Sequence, residues 1–298
     1  MSINFILRIL TNFVNFIKSG EKVSKKQQIS IKNDEIKKNS INFKKSLGQN
    51  FLFDKNLLNA IASDGMVEKD DIVLEIGAGA GTLTSVLAEK AKKVISFEID
   101  NSLIPILNDV KSQHENIEFY FQDFMEAEVE KLFDGEARVV ANIPYYITTP
   151  IIFRLVEHLE KFSSILVLIQ KEVAERFASI HGTKDYGITS VILQSIFDVS
   201  IPRIVKKECF TPMPKIDSAL CLLVPHNKYQ ISNFEEFKNF VHLAFSMRRK
   251  TLVNNLKQKI DKEKVVAVLK KFNYLETVRP EEISVENFIN IYEELLKK

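Results

Sequence analysis

The sequence predicts an α/β fold, a doubly wound and mostly parallel sheet followed by a small C-terminal all-helical domain. Three observations lead there. From Asp71 to Ile169, short β-rich apolar runs alternate with stretches whose apolar residues recur at helical intervals, the pattern of consecutive βαβ units. A glycine-rich turn, Gly77-Ala78-Gly79-Ala80-Gly81, joins the first run to the first helical stretch, and ligands of such sheets sit at the carboxyl ends of the strands. Beyond Pro225-His226-Asn227 the strand pattern gives way to helical periodicity alone.

In chain order, the expected strands are 72–76, 93–97, 117–121, 137–141 and 164–169, with helices over 82–92 and 103–113 between them. Residues 188–199 and 218–224 add a helix and edge strands. Amphipathic helices are expected over 234–245, 249–256, 262–272 and 285–296, with Pro280 punctuating the last loop. The expected organisation is an N-terminal extension over 1–42, an α/β domain over 43–226 and a helical domain over 227–298.

A chain of 298 residues that is 45% hydrophobic and 27% charged can bury a full core. Cys209 and Cys221 are too few for a disulfide framework, and the five histidines lack zinc spacing, which implies a reducing, cytoplasmic setting without a metal. Charge is segregated: residues 47–204 carry 24 acidic against 14 basic side chains, whereas 22–46 carry 2 against 8 and 205–298 carry 12 against 17. Basic flanks around an acidic middle suit a polyanion held at the edges of a central pocket; solvated surface lysine is the plainer reading. Residues 1–20 are apolar but interrupted by Asn4, Arg8, Asn12 and Asn15. Stable membrane insertion is therefore not expected, an appended amphipathic helix is favoured over a targeting segment, and 18–42 reads as a tether.

Glycines in the first turn let backbone approach a ligand closely. Thr82 stands where a dinucleotide fingerprint requires glycine, so pyrophosphate binding is a poor match. Glu98 ends the second strand about 20 residues on, where a carboxylate can accept both ribose hydroxyls, and Asp123 follows the third. Either acid alone is more often a helix cap or a surface charge. Together with the turn, at successive strand ends, they resemble the class I methyltransferase fold, a Rossmann-like sheet. That resemblance implies S-adenosyl-L-methionine, its amino-acid part on the Gly77 loop, its ribose on Glu98 and its adenine facing Asp123.

After the fourth strand comes Asn142-Ile143-Pro144-Tyr145. An exocyclic adenine amine is a poor nucleophile because its lone pair is delocalised into the ring, so acceptors must draw on its hydrogens. The Asn142 side-chain oxygen and a carbonyl at Ile143 or Pro144 can do so, and Tyr145 offers a ring for a flipped base. A strand-terminating turn is the structural alternative. Phe210, in Phe210-Thr211-Pro212-Met213-Pro214 after Lys206-Lys207, is expected as the opposing face of a base sandwich, with a buried loop phenylalanine as the alternative.

From about Phe43 onward the chain resembles the KsgA-type ribosomal RNA adenine dimethyltransferase family. Lys44-Lys45-Ser46-Leu47-Gly48-Gln49-Asn50-Phe51-Leu52 is similar to its amino-terminal signature, which implies cofactor contacts from Asn50 and Leu52 beside Gly77, Glu98, Asp123 and Asn142. Segments 170–187 and 244–252 follow the same pattern, with Met247 where Gln is usual. The resemblance implies dimethylation of two adjacent adenosines in the 3′-terminal hairpin loop of 16S-type RNA in the small ribosomal subunit. It makes Arg248, Arg249 and Lys250 candidate phosphate contacts, with a solvated helix face as the plainer reading of the cluster. The basic pair Lys206-Lys207 is a further RNA-binding candidate, and a monomer without a DNA partner is expected. The competing readings are a large-subunit RNA methylase of the erythromycin-resistance type and a ribosome-assembly factor without activity.

Overall fold

The structure, a computed structural model, describes Lys44 and residues 47–297; the expectations for residues 1–42 lie outside the described residues. Residues 43–298 form one compact unit. Its elements are β1 (Phe51–Leu52), α1 (Lys55–Asp64), β2 (Ile72–Ile76), α2 (Thr82–Ala88), β3 (Lys93–Phe97), α3 (Ile104–Gln113), β4 (Ile117–Tyr120), β5 (Ala137–Asn142), α4 (Thr148–Val156), β6 (Phe162–Gln170), α5 (Lys171–Phe177), α6 (Ile188–Gln194), β7 (Phe197–Val205), β8 (Phe210–Thr211), β9 (Ser218–Pro225), α7 (Phe234–Ala244), α8 (Leu252–Leu256), α9 (Lys262–Lys271) and α10 (Val285–Leu296).

Seven strands form one sheet in the order β4-β3-β2-β5-β6-β9-β7, in which only β9 runs against its neighbours. The α/β class predicted from the strand periodicity is the one observed. The chain winds outward from β2 through β3 to β4, then returns to β5 on the other side of β2. That reversal opens a crevice at the carboxyl ends of β2 and β5, the usual place for a ligand in an open sheet. Alternate strand residues face opposite ways, so Leu74 and Val139 join the core under α4, whereas Val73 and Val140 join the one under α1 and α2. A third apolar cluster lies among α6 to α10, around Phe237, Leu252, Leu269 and Phe288.

Some boundaries differ from the sequence expectation, each for a local reason. The helix expected over 82–92 stops at Ala88, because the Lys92 and Lys93 amides turn to the Asp71 carbonyl and begin β3. The helix expected from Arg249 starts at Leu252, where the Thr251 side chain accepts from the Asn254 amide as its N-cap. Helices α1, α4 and α5 were not predicted. The first is capped by Asp54, whose side chain accepts from the Asn56 and Leu57 amides. Pro202 lies in the edge strand β7, at a register irregularity between Ser200 and Arg203, where a missing donor breaks no interior ladder.

Candidate active site

The crevice between β2 and β5 is a cleft of about 1080 Å³ counting its open mouth. Its floor is the glycine turn after β2. The Gly77 and Ala78 amides donate to the Phe97 carbonyl at 2.8 and 3.0 Å, which bends the chain back over β3. Gly77 sits at φ +87°, a backbone conformation that strains any other L residue, with the Asn142 carbonyl oxygen 3.4 Å from where a Cβ would stand. Gly79, at φ +57°, would drive a Cβ to 2.9 Å from the Phe51 ring. The turn is thus bare backbone, open to close approach by a ligand.

Glu98 follows β3 at 7% exposure. One carboxylate oxygen accepts from the Gly79 amide and the other from the Asp100 amide, both at 2.8 Å. Burial pushes this carboxyl above its ordinary range, and the backbone amides of Asp100, Gly79 and Ile99 act against that shift. The carboxylate keeps acceptor capacity for a further donor. Asp123 follows β4, half-buried, with one oxygen on the Met125 amide at 2.9 Å, and it lines the same cleft.

The segment carrying Asn50 and Leu52 forms the near wall. It is tied down by Asp100, a residue the sequence reading passed over. Its oxygens receive Lys44 Nζ at 2.6 Å and Gln49 Nε2 at 2.7 Å. Burial alone would raise this carboxyl, but hydrogen bonds from Lys44, Ser102 and Gln49 outweigh it and hold it at about 2. Its only sequence signal was a second acid two residues after Glu98.

Asn142 ends β5, and its Nδ2 donates to the Asn50 carbonyl at 3.0 Å. A carbonyl only accepts, so that contact fixes which end of the amide is nitrogen and leaves Oδ1 as the unengaged end. The Pro144 carbonyl already receives the Ile147 amide and the Thr148 hydroxyl, at 3.2 and 3.4 Å. Of the two carbonyls considered, that of Ile143 therefore remains as an acceptor. Tyr145 is held by a 2.7 Å hydrogen bond between its hydroxyl and that of Ser218, and burial raises its phenol.

Phe210 requires a correction. The expected face of a base sandwich is only 4% exposed and belongs to the core with Val205 and Leu220. The short β1–β8 ladder pairs it with Leu52, and its ring joins that core instead of lining the cleft. Leu52 is itself 2% exposed and reaches the cleft wall.

The basic candidates lie elsewhere. Lys206 pairs with Asp217 at 2.8 Å in a surface depression with Lys171 and Lys215. Arg248, Arg249 and Lys250 are exposed between α7 and α8, with Arg248 donating to the Lys184 carbonyl at 3.1 Å. Among the described residues no cluster suited to a metal ion occurs, and no helix is long and apolar enough to cross a membrane.

Comparison with known proteins fits this geometry. A family model described as ribosomal RNA adenine dimethylase matches residues 40–297. The chain is 42% identical over 273 residues to the ribosomal RNA small subunit methyltransferase A of Ligilactobacillus salivarius, covering 86% of this chain and 91% of that one. It is 38% identical to the protein of the same name from Clostridium acetobutylicum, covering 88% and 97%. Among solved structures, a dimethyladenosine transferase from Plasmodium falciparum superposes with TM-score 0.73 at 28% identity, over 82% of this chain and 96% of that one. The 23S rRNA methyltransferase ErmE does so with TM-score 0.68 at 28% identity, over 83% and 100%. With the cleft, the strand-end acids and the match from residue 40 to 297 in agreement, the chain belongs to the ribosomal RNA adenine dimethylase family and is an S-adenosylmethionine-dependent methyltransferase of rRNA adenine.

Proposed function

We propose that this chain dimethylates N6 of two adjacent adenosines in the 3′-terminal hairpin loop of small-subunit ribosomal RNA, as a step in subunit biogenesis. The observation that carries the reading is the Asn142 amide, pinned by its nitrogen to the Asn50 carbonyl with its oxygen unengaged. The 38–42% identity to small-subunit enzymes favours that substrate over the large-subunit one. Retention of the turn, both acids and the Asn142 motif favours an enzyme over an inactive assembly factor.

The cleft suits the methyl donor on its own evidence: a side-chain-free floor at Gly77 and Gly79, and spare acceptor capacity on Glu98. Asn50, Leu52, Gly77, Glu98 and Asp123 would hold it, and when bound it supplies a methyl group on a sulfonium ready for displacement. In the first transfer Asn142 Oδ1 and the Ile143 carbonyl accept the two hydrogens of the adenine amine and orient its lone pair; in the second, one of them accepts the single hydrogen that remains, and each alkylated ammonium releases its proton to solvent. Tyr145, fixed by Ser218, flanks the base. Positioning and preorganised acceptors supply the catalysis; no strong base is needed, because the alkylated ammonium is acidic. Nucleosides from unmethylated small subunits incubated with the protein and methyl donor should contain N6,N6-dimethyladenosine by mass spectrometry. Methylation confined to large subunits would refute the substrate assignment.

In the same reading the 227–298 helices form an RNA-binding region, with Arg248, Arg249 and Lys250 as phosphate contacts. Converting Arg248 and Arg249 to Glu should weaken small-subunit binding by about tenfold or more at moderate salt and flatten its salt dependence, while methyl-donor affinity stays constant. Unchanged affinity for the particle would remove this patch from the interface.

A further inference from the structure

The short turn Tyr145–Ile147 sends two neighbouring tyrosines in different directions. Tyr145 is half-buried with its hydroxyl on Ser218. Tyr146 lines the cleft yet is 62% exposed, among the most exposed large hydrophobics of the described residues. Its ring rests on Gly48, where a Cβ would come to 3.3 Å from Cδ1 and 3.5 Å from Cε1. Gly48 is at φ +61°, and its bare backbone supports the ring on one side. Its hydroxyl makes no hydrogen bond to the described residues, so nothing among them calls for the hydroxyl of a tyrosine there.

We propose that Tyr146 is a stacking platform for the nucleobase next to the one being methylated. This rests on the RNA-methylating function proposed above. Unpaired bases are recognised chiefly by stacking on aromatic side chains, whatever their sequence. The target base must reach Asn142 inside the cleft, beside Tyr145, whereas a base on Tyr146 lies at the cleft rim, on the exposed ring face opposite Gly48. A neighbour held there keeps the strand unstacked at the point where the target leaves it. With two adjacent adenosines as substrate, one occupies the platform while the other reacts.

The test uses the full chain with Tyr146→Ala, Tyr146→Phe and Tyr146→Trp, unmethylated ribosomal subunits as substrate, and direct titration with S-adenosylmethionine. Alanine should lower kcat/KM for the particle about tenfold or more, chiefly through KM, while methyl-donor affinity stays within twofold. Phenylalanine and tryptophan, which keep a ring, should recover most of the loss. An unchanged kcat/KM in the alanine variant would overturn the proposal. So would a matching loss of methyl-donor affinity, which would make Tyr146 a prop for the Gly48 segment, or a phenylalanine variant as impaired as alanine. If the wild-type protein methylated only large subunits, the function proposed above would fail by itself, and the same variants compared on that RNA would still decide the role of Tyr146.

Discussion

Asn142→Ala should reduce the methyl-transfer rate by about 10²- to 10³-fold, the usual effect of deleting one preorganised polar group at a reacting centre, with methyl-donor affinity nearly intact. The effect is large because the amide is fixed in advance: Nδ2 is committed to the Asn50 carbonyl, and Oδ1 cannot rotate away without breaking that bond. Asn142→Asp should be nearly as damaging, since it sets a carboxylate oxygen against the Asn50 carbonyl and loses the bond that aims the acceptor. Single-turnover methyl incorporation separates chemistry from binding. Near-wild-type turnover in either variant would show that Asn142 does not act on the amine.

The fold was legible where local pattern determines it. Five apolar runs became parallel strands, and parallel strands wound this way end on one edge, so residues at three strand ends (Glu98, Asp123, Asn142) gather without any long-range information. Which of its two readings Phe210 takes, base-stacking face or buried loop side chain, was not legible. It depends on a ladder of two residues with β1, far apart in sequence and too short to leave a periodic signal. The Asp100 tie was hidden for the same reason: Lys44 and Gln49 reach it from the far side of the glycine turn. The choice between the Ile143 and Pro144 carbonyls needed coordinates too, because only the fold shows which one the following helix already uses.

Glu75 should give this protein a stability that falls as pH rises, with Glu75→Gln abolishing that part of the dependence. The side chain projects from β2 at 0% exposure. One of its oxygens receives the Thr84 and Ser96 hydroxyls, both at 2.6 Å, while the other is buried without a partner. Burial pushes the carboxyl to about 8, against the opposing pull of those hydroxyls. The unfolded chain has an ordinary carboxyl, so between about 4.5 and about 8 the folded state binds a proton that the unfolded state has released. Stability from this group is complete below the lower value, declines through the interval and levels off above the upper one. The loss amounts to several kcal/mol. Glutamine keeps an acceptor for Thr84 and Ser96 and carries no charge, so urea unfolding should find the two proteins similar at pH 5 and the variant markedly more stable at pH 9. Parallel pH profiles would mean that Glu75 ionises normally in the fold. The neutral form also matters for the site: a second negative charge beneath Glu98 would oppose ionisation of that carboxylate, and the ionised form is the one able to accept both ribose hydroxyls.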